Sequence, residues 1–313
     1  GIRDSAQDTL GVMHTIPEEA KGLIIKLLKC QYTDGRAYHL FFPLTGEGGS
    51  GDAPVKKFDW YSDDHLWLIL AVNAYIKETG DYAFLNEKVL YNDKKTEATV
   101  LEHLNKALDF TANNLGPHKI ALAGRADWND TLNLDVGLGV AESVFTSMLY
   151  CRAALEMKEI ADFLGNKEAA ENYTKMFETM KNAINTTCWD GEWYKRAFDD
   201  YGNALGTKDA PFGKIFINSQ SWAVLGGVAE GEYARKCLDS VEKYLNTKYG
   251  IVAMYPAYTE FDETKGGITT YPPGAKENGG IFLHTNPWVM IAEIMMGNGD
   301  KAYQYYKQIM PAA

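Results

Sequence analysis

The stretch GRADWNDTLNL, residues 124–134, sets Asp127 and Asp130 three positions apart around Trp128 and Asn129. Two kinds of chemistry fit these residues. One is plain structure, with an aspartate capping a turn and Trp128 in the core. The other is acid catalysis on a sugar. Cleaving a glycosidic bond requires protonating the departing oxygen, so one carboxyl must keep its proton near neutral pH. Burial beside an aromatic ring and a second nearby carboxylate both act in that direction. Trp128 would supply the apolar wall and Asp127 the like charge.

Three further segments carry residues of the same kind. GIRDSAQD (1–8) spaces Asp4 and Asp8 four apart, on one face of a helix, with Arg3 available to pair with them or with a substrate hydroxyl. Helix-start acids in the macrodipole field explain the same pattern without chemistry. FDWYSDDHLWL (58–68) gathers Asp59, Asp63, Asp64 and His65 among aromatic residues, and capping accounts for Ser62 and Asp63. YPPGAKENGGIFLHTNPW (271–288) holds Lys276, Glu277, Asn278, His284 and Asn286 in a backbone stiffened by proline and loosened by glycine. Packing alone explains such a loop poorly. A surface Lys276–Glu277 ion pair and a core His284 are its structural alternatives.

Other chemistries lack support. The six histidines are scattered without an HxxxH pattern and the four cysteines lie far apart, so no metal site is expected. No P-loop, GxSxG, or GxGxxG after a strand occurs. A net charge of −11 without a basic run disfavours nucleic acid and anionic membranes and suits a neutral sugar. No 18-residue apolar span or leader-like segment is seen, and dispersed cysteines read as reduced thiols of a cytoplasmic protein.

Helices must position these residues. Helical periodicity covers 4–12, 17–31, 62–80, 81–88, 96–116, 141–165, 166–189, 217–229, 232–246, 286–297 and 299–309, with Ser62 as an N-cap and Gly80 as a stop. GEWYKRAF (191–198) reads as a short hairpin arm. Gly/Pro-rich loops fill 43–59, 116–140, 199–214 and 247–285, and long ordered loops tend to be functional. Turns of similar wording (KETGDYAFL, FLGNKEAA, MMGNGDKAY) suggest serial helical hairpins, which close into a toroid or extend as a solenoid.

Taken in order, GIRDSAQDTLGVMHTIPEEA, DGRAYHLFFP, YSDDHLWLILAVNAYIKETGD, GRADWNDTLNL, ESVF, INSQSWAVLGG and KENGGIFLHTNPW resemble the inverting β-glycoside phosphorylases of glycoside hydrolase family 94. The wording of RADWNDTLNL is closer to the cellobiose and cellodextrin branch. The resemblance implies an all-α (α/α)6 barrel with the active site at one end. It implies reversible phosphorolysis of a β-linked glucose disaccharide or oligosaccharide to α-glucose 1-phosphate, with inversion. Inorganic phosphate is the nucleophile and no cofactor is implied. Because the nucleophile is already an anion, one carboxylic acid suffices, whereas an inverting hydrolase needs a second to activate water.

By position the resemblance makes Asp130 the general acid. Trp128 would line the subsite of the transferred sugar, and Arg3–Asp4 would bind its hydroxyls. Lys276 and Glu277 would contact the sugars, and His284 would help hold phosphate. Gln220 would line the site, and Asp127 would support the loop.

Family members carry an N-terminal β-sandwich, a phosphate-binding arginine just before the G-x-R-D motif and a late Thr–Gly loop. Residues 1–313 are therefore expected to be one barrel domain excerpted from a longer chain. The barrel would be incomplete at its C-terminal end, weak in phosphate binding alone, and a homodimer in its full-length form. Two alternatives stay open: an inverting hydrolase on this scaffold, with Asp4 or Glu277 as base, and a non-catalytic carbohydrate-binding domain of a larger synthase.

Overall fold

The computed structural model describes residues 1–49 and 60–311. Ten α-helices run through them: α1 Ile2–Val12, α2 Pro17–Leu28, α3 Asp64–Thr79, α4 Val100–Asn113, α5 Val144–Phe163, α6 Lys167–Thr187, α7 Ile217–Leu225, α8 Gly231–Tyr244, α9 Asn286–Met295 and α10 Gly299–Ile309. Each falls on a segment whose periodicity predicts it. The remaining expected segment, 81–88, is a 3-10 turn at Tyr82–Asn86, with the Phe84 amide donating to Asp81 at 3.3 Å.

Local signals explain several helix ends. Thr99 and Glu102 form a reciprocal capping box at α4, so the helix starts later than the pattern suggests and Glu97–Thr99 pairs instead with Lys88–Leu90. Gly80 ends α3 at φ 71°, a conformation that costs glycine little. The N-cap expectation at Ser62 is corrected. Asp63 occupies the cap position of α3 without capping it, and the Ser62 hydroxyl instead pairs with that of Thr146 at 2.8 Å.

The helices form hairpins around a ring. Helices α3, α5 and α7 are buried over most of their circumference, as inner helices must be, while α6, α8 and α10 bury one stripe. Each inner helix packs on the next, α1 on α3, α3 on α5, α5 on α7 and α7 on α9, and each backs onto the outer helix that follows it. Among the described residues the ring therefore holds five helical hairpins of an (α/α) barrel. Its axis is filled by aromatic rings from four inner helices: Trp67 and Trp222 meet edge to face at 5.4 Å, Phe145 and Trp222 at 5.7 Å, and Phe145 stacks near Trp288 at 5.9 Å.

The long loops have their own support. Strand segments of two or three residues stitch them: Ala197–Phe198 lies between Glu142–Ser143 and Ala204–Leu205, and Ile215–Phe216 pairs with Met254–Tyr255. The expected hairpin arm thus survives as a Trp189–Tyr194 bridge and its last two residues. A satellite core of Leu132, Leu134, Leu205, Phe216, Met254 and Ile268 lies beneath these loops. Its buried side chains come from segments that have no α-helix of their own and tie them together.

Candidate active site

The N-termini of the five inner helices open at one end of the ring, and the chemistry-bearing residues collect there. Arg3 begins α1, Asp63 and Asp64 begin α3, Ser143 caps α5 through the Thr146 amide at 3.0 Å, and His284 precedes α9. The segment after Gly124 crosses this end. Gly124 has φ 59°, and a Cβ there would stand 2.7 Å from the Trp60 carbonyl oxygen. The close approach lets Tyr61 bridge Gly124, Arg125 donate to Trp60, and Ser62 donate to Ala126 at 2.9 Å.

Arg3 is the organising cation of this end. Its side chain is 4% exposed. Nε donates to Asp63 at 2.8 Å, Nη1 to the Trp128 carbonyl at 2.8 Å and Nη2 to the Asp127 carbonyl at 3.3 Å. Both terminal nitrogens also reach Oδ1 of Asp130, at 3.0 and 2.9 Å. Burial opposes its charge, but Asp63, Asp130 and Asp64 outweigh that and hold the guanidinium protonated more firmly than usual. Burial pushes the Asp63 carboxyl up against the pull of Arg3, and Trp67 Nε1 donates to it at 3.0 Å. The expectation that Arg3 binds sugar hydroxyls is corrected, since its five N–H groups are committed within the protein.

Asp130 is the half-exposed member, its side chain 43% accessible. Oδ2 lies 3.7 Å from Nε2 of His39. Asp127 points the other way. It is buried in a two-pronged pair with Arg196 at 2.6 Å on both prongs, accepts from Ser143 Oγ at 2.5 Å, and takes the Asn129 amide at 2.9 Å. Burial raises its carboxyl, yet Arg196 and these donors win and hold it below the ordinary range. The idea that Asp127 acts as a like charge on Asp130 is therefore corrected. Its carboxylate is neutralised by Arg196, and its geometry is that of a loop anchor. The Asp130 charge instead acts on Glu277, whose carboxyl is raised first by burial and then by Asp130.

The loop 271–288 is folded by its asparagines. Asn278 accepts from the Tyr258 amide at 2.8 Å and donates to the Tyr258 and Tyr271 carbonyls, and Asn286 does the same for Ile251 and Phe282. Lys276 sits at φ 47°, and a Cβ on Gly280 would stand 2.4 Å from the Lys276 carbonyl oxygen, so the turn needs that glycine. Lys276 is exposed, with Nζ 5.0 Å from the Tyr271 ring centre. No Lys276–Glu277 ion pair forms. Glu277 is half-buried with Oε2 lacking any partner, and burial followed by the Asp130 charge raises its carboxyl.

Trp128 Nε1 donates to Nε2 of His284 at 2.6 Å, which fixes that nitrogen as an acceptor and leaves Nδ1 as the donor of a neutral ring. Crowding against Trp128, Phe282 and Trp288 lowers the His284 pKa, although Asp4 and Asp8 pull upward. Trp128 itself is 4% exposed, a floor for the site and not an open stacking face. Asp4 is open, its side chain 62% accessible, and Asp8 is exposed on the same helix face.

Gln220 lies elsewhere. It is fully buried, donates to the Tyr194 carbonyl at 2.8 Å and accepts the Tyr194 amide at 3.0 Å, so its expected place in the site lining is corrected to a brace. His65 is also interior, donating to or accepting from Thr111 at 2.7 Å, with burial lowering its pKa to about 3. Asp59 lies outside the described residues.

A family model described as the catalytic domain of the glycosyl hydrolase 94 superfamily matches residues 1–313. The chain belongs to this family. It is 38% identical over 99% of its length to a solabiose phosphorylase of Paenibacillus borealis, covering 39% of that protein. It is 36% identical over 99% of its length to an N,N'-diacetylchitobiose phosphorylase of Vibrio proteolyticus, covering 41% of it. The domain thus spans about two-fifths of the length of these curated relatives. Its fold is similar to that of a GH63 mannosylglycerate hydrolase from Thermus thermophilus solved with glucose, with a TM-score of 0.65 at 12% identity over 97% of this chain and 83% of that one.

The family 94 domain also uses residues that spacing does not reveal. Asp200 accepts five backbone amides, from Val136, Leu138, Gly139, Val140 and Ala141, and these donors hold its carboxyl at about 2 against the effect of burial. It pins the loop that leaves Asp130. His39, from the DGRAYHLFFP segment, joins the site through Asp64 and Asp130. Neither contact has a sequence period that would announce it. Among the described residues no cluster of three metal-ligating side chains occurs, and no helix is long and apolar enough to cross a membrane.

Proposed function

We propose that this domain is the catalytic barrel of an inverting phosphorylase that cleaves a β-linked disaccharide with inorganic phosphate, releasing an α-sugar 1-phosphate. The observation that carries the reading is the geometry of Asp130: one oxygen is pinned by Arg3 and the other is outside that pin, on a side chain that is 43% accessible. A general acid needs that asymmetry, with one oxygen fixed for aim and one able to carry and give a proton. The phosphorylase names of relatives matched over nearly the whole chain support the choice of phosphate over water.

In this reading phosphate attacks the anomeric carbon from the face opposite the leaving sugar, and Asp130 Oδ2 protonates the departing oxygen. Asp4 and the unpartnered oxygen of Glu277 accept sugar hydroxyls, which relieves the cost of a bare buried acceptor. Lys276 reaches over the sugars, Trp128 borders the subsite with its edge, and Nδ1–H of His284 donates to phosphate. No cofactor takes part. We place the enzyme in the cytoplasm, as a homodimer in its natural form. The substrate is a β-glucoside of the cellobiose or cellodextrin type, with solabiose and N,N'-diacetylchitobiose as the rivals named by its relatives.

The test is phosphate-dependent release of a sugar 1-phosphate from a panel of these disaccharides by the natural polypeptide. No product from any β-linked substrate would end the proposal. Glu277 gives a hydrolase one specific argument, because a raised carboxyl with a free oxygen could activate water. Equal cleavage without phosphate would favour that reading.

A further inference from the structure

DGRAYHLFFP has no role in the proposed phosphorolysis, yet it delivers His39 to the one group on which that reaction depends. The His39 ring is stacked on Tyr61, with centres 3.6 Å apart and planes 11° from parallel, so its orientation is set. Nδ1 lies 2.9 Å from Oδ2 of Asp64, a buried carboxylate. That bond places the proton on Nδ1 and directs Nε2 at Asp130 Oδ2, 3.7 Å away. Arg3 engages the other oxygen of Asp130 and also donates its backbone amide to Asp64 at 3.2 Å. The backbone is tied too, for Ile2 N donates to the His39 carbonyl at 2.9 Å.

We infer that His39, oriented by Asp64, is the residue that returns a proton to Asp130 in each catalytic cycle and takes it back in the reverse reaction. The inference rests on Asp130 being the general acid of phosphorolysis. Proton balance requires that Asp130 be recharged in each turn. Asp130 gives its proton to the leaving sugar and ends as a carboxylate. Hydrogen phosphate, once joined to the sugar, carries a proton that it releases to water. That proton is liberated on the opposite face of the sugar from Asp130, so Asp130 must be recharged separately.

A protonated His39 does this by breaking its Nε2–H bond as the Oδ2–H bond of Asp130 forms. The neutral ring then regains a proton at Nε2 from solvent, which its 15% accessible side chain can reach. Asp64 stays a carboxylate throughout. The groups facing the ring among the described residues are Arg3 from α1, Asp64 from α3, Tyr61 ahead of α3, and Asp130. Burial disfavours the charged ring and Arg3 opposes it, but Asp64 and Asp130 prevail, so the imidazolium persists above its ordinary pH range. The 3.7 Å gap is long for a hydrogen bond, as catalytic contacts often are before substrate closes the site.

The experiment uses the natural polypeptide with its best β-disaccharide, and compares His39→Ala, Asp64→Asn and Asp130→Asn. His39→Ala is expected to lose about 100-fold in kcat in both directions, with KM for sugar and phosphate little changed. Added imidazole should restore much of that loss, and more at pH 6 than at pH 8, because the imidazolium is the donor. A structural role for the ring would give no such pH-dependent rescue. Asp64→Asn should move the alkaline limb of kcat down by about one pH unit. A His39→Ala enzyme with wild-type kcat, or an unmoved limb in Asp64→Asn, would overturn the inference. If Asp130→Asn retains phosphorolysis, the general-acid reading fails instead, so the two failures are distinguishable.

Discussion

Arg3 holds Asp130 by one oxygen only. Both terminal nitrogens of the guanidinium converge on Oδ1, at 3.0 and 2.9 Å, while the rest of the fork is spent on Asp63 and on the carbonyls of Asp127 and Trp128. One buried cation therefore ties α1, the start of α3 and the 124–134 segment into one unit. The arrangement aims a carboxyl without consuming it. Because Arg3 stays charged, its geometry persists whether Asp130 holds a proton or has given it away.

Asp130→Asn keeps the shape and the acceptor for Arg3 but cannot deliver a proton. We expect phosphorolysis to fall by roughly 100- to 10,000-fold with sugar binding largely intact. Initial rates of sugar 1-phosphate formation, set beside disaccharide titration by calorimetry, check both halves. Weakened binding with unchanged turnover of bound sugar would mean that Asp130 only holds substrate.

Arg3→Lys preserves the charge and removes the fork. A single ammonium cannot serve Asp63, two carbonyls and Asp130 together, so the acid loses its aim. Displacement on the scale of 1 Å costs about 100-fold in rate. The loss should appear in kcat more than in KM, and the melting temperature should also fall. Wild-type kcat in a stable Arg3→Lys protein would show that the fork is unnecessary.

Much of this was legible in the sequence, for identifiable reasons. Inner and outer helices follow from apolar spacing, because burial of a stripe or of a whole circumference is written into residue order. Asp130, Asp4, Glu277 and His284 share one end because each lies at or near the start of an inner helix or on the loops crossing it. What spacing could not give is the partner of each charge. Asp63 looks like a helix cap and instead anchors Arg3, sixty residues earlier. Asp127 and Asp130 look like a pair and face opposite ways, because Arg196 and Arg3 claim one each. Gln220 looks like site lining and is a fully buried brace. These contacts are decided by tertiary placement of cations far away in the chain.

The Asp127–Arg196 pair predicts a pH-dependent stability difference. Asp127 has a depressed pKa in the folded state, so its contribution is complete above the ordinary carboxylate value of about 3.9 and is lost as pH falls through the lower folded value. Arg196→Met strands a buried carboxylate and should cost about 3–5 kcal/mol near pH 7. The gap between variant and wild type should narrow below pH 4. Urea unfolding at pH 7 and pH 3.5 measures it, and an equal gap at both would rule out the charge pair as its source.

Asp200 should act on the same limb through backbone amides. Asp200→Asn keeps one carbonyl acceptor and leaves several of the five amides unpaired, at a cost of at least about 2 kcal/mol. Faster amide exchange is expected at Val136–Ala141, with the inner helices unaffected. Unchanged protection in that loop would show that Asp200 does not hold it.

His284 should be neutral at pH 7, protonated on Nδ1, and should titrate below its ordinary value of 6.5. The Trp128 N–H donates to Nε2, a bond that only the neutral ring can accept, so acid must break it to charge the ring. Trp128→Phe removes that donor while keeping an aromatic floor, and the midpoint should rise. Nitrogen-15 NMR of the imidazole reads tautomer and midpoint together. A ring already charged at pH 7, or one protonated on Nε2, would contradict the hydrogen bond. It would also change which nitrogen is available to phosphate.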